Sequence, residues 1–94
     1  MQKYNVFIEG TNFKIEIENT VQKCGFFTTR FVEANDPPSA EKQAMDFVRE
    51  ELQEIVLNDR ENPPVMYIEK LDEIKTFGDN EVPGTGFTWF KDDE

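Results

Sequence analysis

Apolar and polar residues alternate in two runs near the start of the chain. Tyr4, Val6 and Ile8 alternate with Asn5, Phe7 and Glu9, and Phe13, Ile15 and Ile17 alternate with Lys14, Glu16 and Glu18. A period of two predicts half-buried β-strands. Gly10-Thr11 between the runs suits a two-residue primed turn, which predicts a hairpin. That turn sets Ile8 opposite Phe13, Val6 opposite Ile15 and Tyr4 opposite Ile17, with Lys3 facing Glu18 as an opposite-charge pair.

Residues 19–23 read as a second reversal, and residues 24–34, CGFFTTRFVEA, as a third strand. With Ile15 opposite Phe27 and Ile17 opposite Gly25, residues Phe27, Thr29 and Phe31 fall under the coming helix. Phe26, Thr28, Arg30 and Val32 then point to the other face. Both sides of this strand are apolar, as in a strand covered twice. The second cover is expected from the C-terminal segment or from another subunit.

Asp36 followed by Pro37 predicts a helix start, because the carboxylate caps free amides and proline at the first position loses no hydrogen bond. Ala40, Ala44, Phe47, Val48, Leu52, Ile55 and Val56 recur at helical spacing, while Glu41, Lys42, Asp46, Arg49, Glu50 and Glu54 take the opposite side. Pro63-Pro64 prevents continuation. In residues 65–77 the composition of Val65, Met66, Tyr67 and Ile68 favours a strand, pairing in parallel with the first or third. The three-residue spacing of Ile68, Leu71 and Ile74 also suits a short helix. Residues 78–86, GDNEVPGTG, read as a loop, residues 87–90, FTWF, as a last strand, and residues 91–94 as a frayed acidic tail. The expected architecture is one α+β domain over residues 1–94. It has a mostly antiparallel sheet of four to five strands with one helix on one face, in the order β-β-β-α-β-β.

Charge narrows the function. Twenty acidic residues face ten basic ones, a net charge of -10 on 94 residues. Polyanion binding releases counterions from a positive surface, so nucleic acid is not an expected partner. A basic protein partner fits the acidity. One cysteine, Cys24, excludes an internal disulfide framework and suits a reducing compartment. The N-terminus has no long apolar core of a signal peptide, and no run approaches a membrane span. A cytoplasmic protein without a membrane partner is expected.

Histidine is absent. That removes the commonest general base, the Cys–His and Ser–His–Asp arrangements and Cys/His zinc sites. No spacing singles out a carboxylate pair, so no catalytic residue, metal site or cofactor is expected. Pro83-Gly84-Thr85-Gly86 lacks the Lys-Ser/Thr and strand–loop–helix setting of a phosphate loop and reads as a turn. Arg30 interrupts an apolar strand and carries two readings. It pairs with a carboxylate at the sheet edge, or it presents its guanidinium on the open face beside Phe26 or Trp89 to hold an acidic ligand or partner. Phe26, Thr28, Arg30 and Trp89 are therefore the candidate open-face residues. Their aromatic content points to a homodimer. The leading expectation is a self-associating protein-interaction module, the alternative a ligand site or carboxylate-dependent enzyme near Arg30.

The segment CGFFTTRFVEANDPPSAEKQAMDFVREEL, with PGTGFTWF, resembles small uncharacterised bacterial proteins of one domain, a likeness that implies no activity. The order hairpin, strand, Asp-capped helix, strand is also similar to that of HicB-type antitoxin domains, although Cys24-Gly25 stands in reversed order here. That resemblance implies an acidic protein that sequesters a basic toxin.

Overall fold

The structure is a computed structural model and describes residues 1–91. Its elements are β1 (Gln2–Ile17), β2 (Thr20–Ala34), α1 (Pro37–Leu52), β3 (Val65–Ile74) and β4 (Thr88–Lys91). They form an α+β fold with a four-stranded sheet in the order β3-β1-β2-β4, every neighbouring pair antiparallel.

The two alternating runs are one strand. Apolar positions switch from even (Tyr4, Val6, Ile8) to odd (Phe13, Ile15), and both a two-residue turn and a one-residue bulge accommodate such a switch. The chain uses the bulge. Gly10 pairs with Phe26 and Phe13 with Cys24, so Thr11 and Asn12 together face Gly25. Asn12 takes a φ of 60°, which asparagine tolerates better than most residues. Its side-chain amide donates to Asn62 Oδ1 (2.9 Å) and to the Pro63 carbonyl (3.0 Å), fastening the bulge to the loop after α1. Gly10 serves packing instead of turning: a Cβ there would meet the Phe26 ring at 2.2 Å.

The reversal falls at Glu18-Asn19, whose φ values of 51° and 68° match the primed turns of tight hairpins. One strand thus fewer precedes the helix than expected, and β2 starts at Thr20. Ile15 pairs with Gln22 instead of Phe27, a shift of five residues. An odd shift sends every side chain of a strand to the opposite face. Phe26, Thr28, Arg30 and Val32 consequently lie under the helix, and Phe27, Thr29 and Phe31 on the uncovered face.

The helix begins as its sequence predicts. Asp36 accepts from the Ser39 N–H at 2.9 Å, and Pro37 and Pro38 occupy the first turn. Ala40, Ala44, Val48 and Leu52 are buried against the sheet, chiefly on β2 and β1. The helix ends at Leu52, so Ile55 lies beyond it, and both Ile55 and Phe47 are exposed. Alanines at the first two contact positions let the helix approach closely over Tyr4, Val32 and Ala34.

β2, α1 and β3 form a strand–helix–strand unit in which β2 and β3 point the same way, since both run antiparallel to β1. Neither expected parallel pairing is made: β1 lies between β3 and β2, and β3 meets the predicted first strand antiparallel, because without a turn at Gly10 that segment runs opposite to β2. β3 is a strand throughout, with Glu69 bulged out of register between Ile68 and Lys70. That extra residue produces the helix-like spacing from Ile68 to Leu71. β4 pairs with residues 24–27 of β2 and includes Lys91, which the sequence reading placed in the tail; the rest of that tail lies outside the described residues.

Candidate functional site

The two faces of β2 hold the side chains that carry any chemistry. On the covered face Arg30 is fully buried, and its five N–H donors all have acceptors. Nε donates to Thr28 Oγ1 (3.2 Å), and Nη1 to Glu51 Oε2 and the Gly84 carbonyl (2.6 Å). Nη2 donates to Glu51 Oε1 (3.3 Å) and the Gly86 carbonyl (3.1 Å). Phe87 lies against the guanidinium, 5.3 Å from its centre. Thr28 donates in turn to the Gly86 carbonyl (2.7 Å). One arginine thereby joins strand, helix end and C-terminal loop.

Gly84 and Gly86 hold φ values of 92° and 86°, in the region that favours glycine. Their carbonyls point inward at Arg30. PGTG is therefore an acceptor loop for a cation, with its electrostatics opposite to those of a phosphate cradle. The Glu51 partner had one sequence signal: it stands three residues after Val48 and one before Leu52, at the margin of the buried stripe.

Phe26, Thr28, Arg30 and Trp89 do come together, but beneath the helix and loop. Phe26 packs edge-on against Phe13, Phe87 and Trp89 with centroids 5.0–5.3 Å apart, and none of the four residues belongs to the uncovered face. The expected open-face role fails for them because the register differs by an odd number of residues. Cys24 is buried on the same face of β2. A cleft of about 420 Å³ lies nearby, lined by Thr28 and Gly86, but Arg30 is not in its wall.

The uncovered face carries what the sequence reading had buried. Phe7 and Phe27 stack with planes 5° apart and centroids at 5.4 Å, and Phe90 continues the row 5.2 Å from Phe27. Phe31 meets Phe77 edge-on at 6.2 Å. All five rings are only partly buried. Gly25 leaves room for this row, since a Cβ there would meet the Phe90 ring at 2.5 Å. At one side Tyr67 donates to Glu9, which together with desolvation and the charges of Glu9 and Glu69 pushes the phenol up to about 12.

Charge divides unevenly between the faces. Among cross-strand-paired positions of the uncovered face stand Lys3, Lys14, Lys23 and Lys70 against Glu9, Glu16, Glu33 and Asp72. These paired positions thus carry four basic and four acidic residues, although the chain as a whole has ten basic and twenty acidic. The cross-strand-paired positions of the aromatic face are balanced in charge within an acidic molecule. Lys3–Glu33 at 3.8 Å and Lys70–Asp72 at 3.7 Å pair upon it.

Among the described residues no group of three metal-ligating side chains converges, and no helix is long and apolar enough to cross a membrane. No protein-family model matches the chain, and no curated protein or solved structure matches it either.

Proposed function

We propose that this chain is a small acidic protein-interaction module of the cytoplasm whose working surface is the uncovered face of the sheet. The observation that carries the reading is the row Phe7–Phe27–Phe90, partly exposed on a face that the helix does not cover and on which the segment after β3 places Phe77 only at one end, against Phe31 and Lys3. Contiguous apolar surface rimmed by polar residues marks sites of protein contact, and aromatic rings supply most of the binding energy at such contacts. A single, buried thiol is consistent with a reducing compartment. The reading of Arg30 as an anchor for a ligand has less support, because every N–H of the guanidinium is occupied from within the chain.

A photo-crosslinking residue at Thr29, on the uncovered face, compared with one at Glu50, on the exposed side of the helix, tests the proposal in living cells. Protein adducts are expected from position 29 and not from position 50. Equal yields from both, or none from 29, would overturn it.

A further inference from the structure

We infer that the partner seated on the uncovered face is a second copy of this chain, in an isologous sheet-to-sheet dimer. The inference rests on the proposal above that this face is the interface, and three independent features support it.

The first is charge. Two molecules of net charge -10 repel each other, and like-charged surfaces brought together oppose association. The paired positions of the uncovered face carry four charges of each sign, so a contact made there adds no like-charge repulsion of its own to the net repulsion. A basic protein would instead be drawn to surfaces with an acidic excess, such as α1, where Glu41, Asp46 and Glu50 stand exposed against Lys42 and Arg49. The charge-balanced face thus fits another balanced face better than it fits a cation.

The second is self-complementarity. In a two-fold contact each residue type must tolerate its own surroundings on the other chain. A row of phenylalanines bordered by lysines and carboxylates in equal number satisfies this: rings meet rings at the centre, and each border offers both signs to the opposing one. The third is size. Four strands about 4.8 Å apart make a face about 19 Å wide. With 16, 15, 10 and 4 residues in β1 to β4 at about 3.3 Å each, the sheet plane is roughly 700 Å², near the roughly 800 Å² each partner contributes to a standard stable interface.

Sedimentation velocity over a concentration series tests the assignment. The expected result is a species of twice 11.0 kDa at tens of micromolar. Phe27→Lys should weaken association at least tenfold, with the far-ultraviolet circular dichroism unchanged. Thr29→Lys, which adds a charge to the same face without removing a ring, serves if Phe27→Lys does not fold. Raising the salt concentration should tighten the wild-type dimer, because it screens the net repulsion and has little to weaken at a neutral contact.

A monomer at every concentration overturns the second-copy assignment. If position 29 still crosslinks to another protein, the interaction-module reading survives with a different partner; if it crosslinks to nothing, both fall. A dimer indifferent to both lysine variants, or one dissociated by salt, also overturns the assignment.

Discussion

Phe26 and Phe27 are neighbours of the same residue type on one strand, and they live in different solvents. Phe26 is fully buried among Phe13, Phe87 and Trp89 beneath the helix and the C-terminal segment. Phe27 stacks between Phe7 and Phe90 on the face away from the helix, where it stays partly exposed. The contrast extends along β2, where Arg30 is buried and satisfied while its neighbours Thr29 and Phe31 are partly exposed. Hydrophobicity therefore did not select the inner face of this strand: the inner face takes the arginine, and the outer face keeps two of the three phenylalanines. The second layer decided. The helix supplies Glu51 and the loop supplies two carbonyls, so a charge is tolerated inside.

The largest expected difference between the faces is in stability. Phe26→Ala should cost about 4 kcal/mol by the loss of a buried ring and the cavity it leaves. Phe27→Ala, measured in dilute solution where the chain is monomeric, should cost about 1 kcal/mol, because the ring already meets water and loses only its stacking partners. Denaturant titration of the two variants separates them. Equal losses would mean that both faces are covered in the lone chain.

Next in size is the buried cation. Glu51→Ala removes the counter-ion of a guanidinium that has no solvent exposure. Breaking such a pair costs about 3 kcal/mol, at the low end of the usual range because Glu51 is itself a third exposed and Arg30 keeps its carbonyl acceptors. Arg30→Met should be tolerated better than Glu51→Ala if the stranded charge, and not the lost bond, is what matters. Thermal melts of the two variants side by side decide this.

A smaller effect is expected at the helix start. The Ser39 hydroxyl and backbone N–H hold the Asp36 carboxyl below its ordinary value. A carboxyl depressed in the folded state contributes stability above its unfolded pKa, and the contribution disappears as the pH falls through the lower folded value. Asp36→Asn, which still caps but does not titrate, should flatten the acid limb of the stability profile with little loss at neutral pH.

The smallest effect is spectroscopic and compares the faces through the two tyrosines. Tyr4, on the covered face, is raised by burial and then by the charges of Glu73 and Asp36; Tyr67, on the uncovered face, is raised by its bond to Glu9. Phenolate absorbance of both tyrosines should therefore appear at higher pH in the folded protein than in the unfolded chain. Both shifts favour the folded state below pH 10. For Tyr67 the contribution is lost as the pH rises through about 12. Glu9→Gln should return Tyr67 alone toward its ordinary value, leaving Tyr4 as it was.

Much of the local structure was legible in the residues. Asp36-Pro37, the alanine-bearing stripe and Pro63-Pro64 bounded the helix, alternation located both halves of β1, and apolar composition the other strands. The grouping of Phe26, Thr28, Arg30 and Trp89 was also legible, because a shared face follows from spacing along one strand and one pairing to the next. Their placement was not. The long hairpin was obscured by Gly10, a glycine that serves to admit a ring, and by Glu18, a residue that rarely takes a positive φ.

What the sequence alone determined is which stretches are strand and which is helix, the two sets of side chains on β2, and the net charge. Which set is inside was decided only by the tertiary structure. A switch of apolar parity between Ile8 and Phe13 is the same signal whether the chain turns back or bulges by one residue, and local periodicity does not distinguish the two. Long-range contacts do: Phe26 across Gly10, and the asparagines of the later loop clasping Asn12, favour the bulge. That one extra residue sets the register of β2, and with it the face that holds Arg30 and the face that leaves Phe7, Phe27 and Phe90 in water.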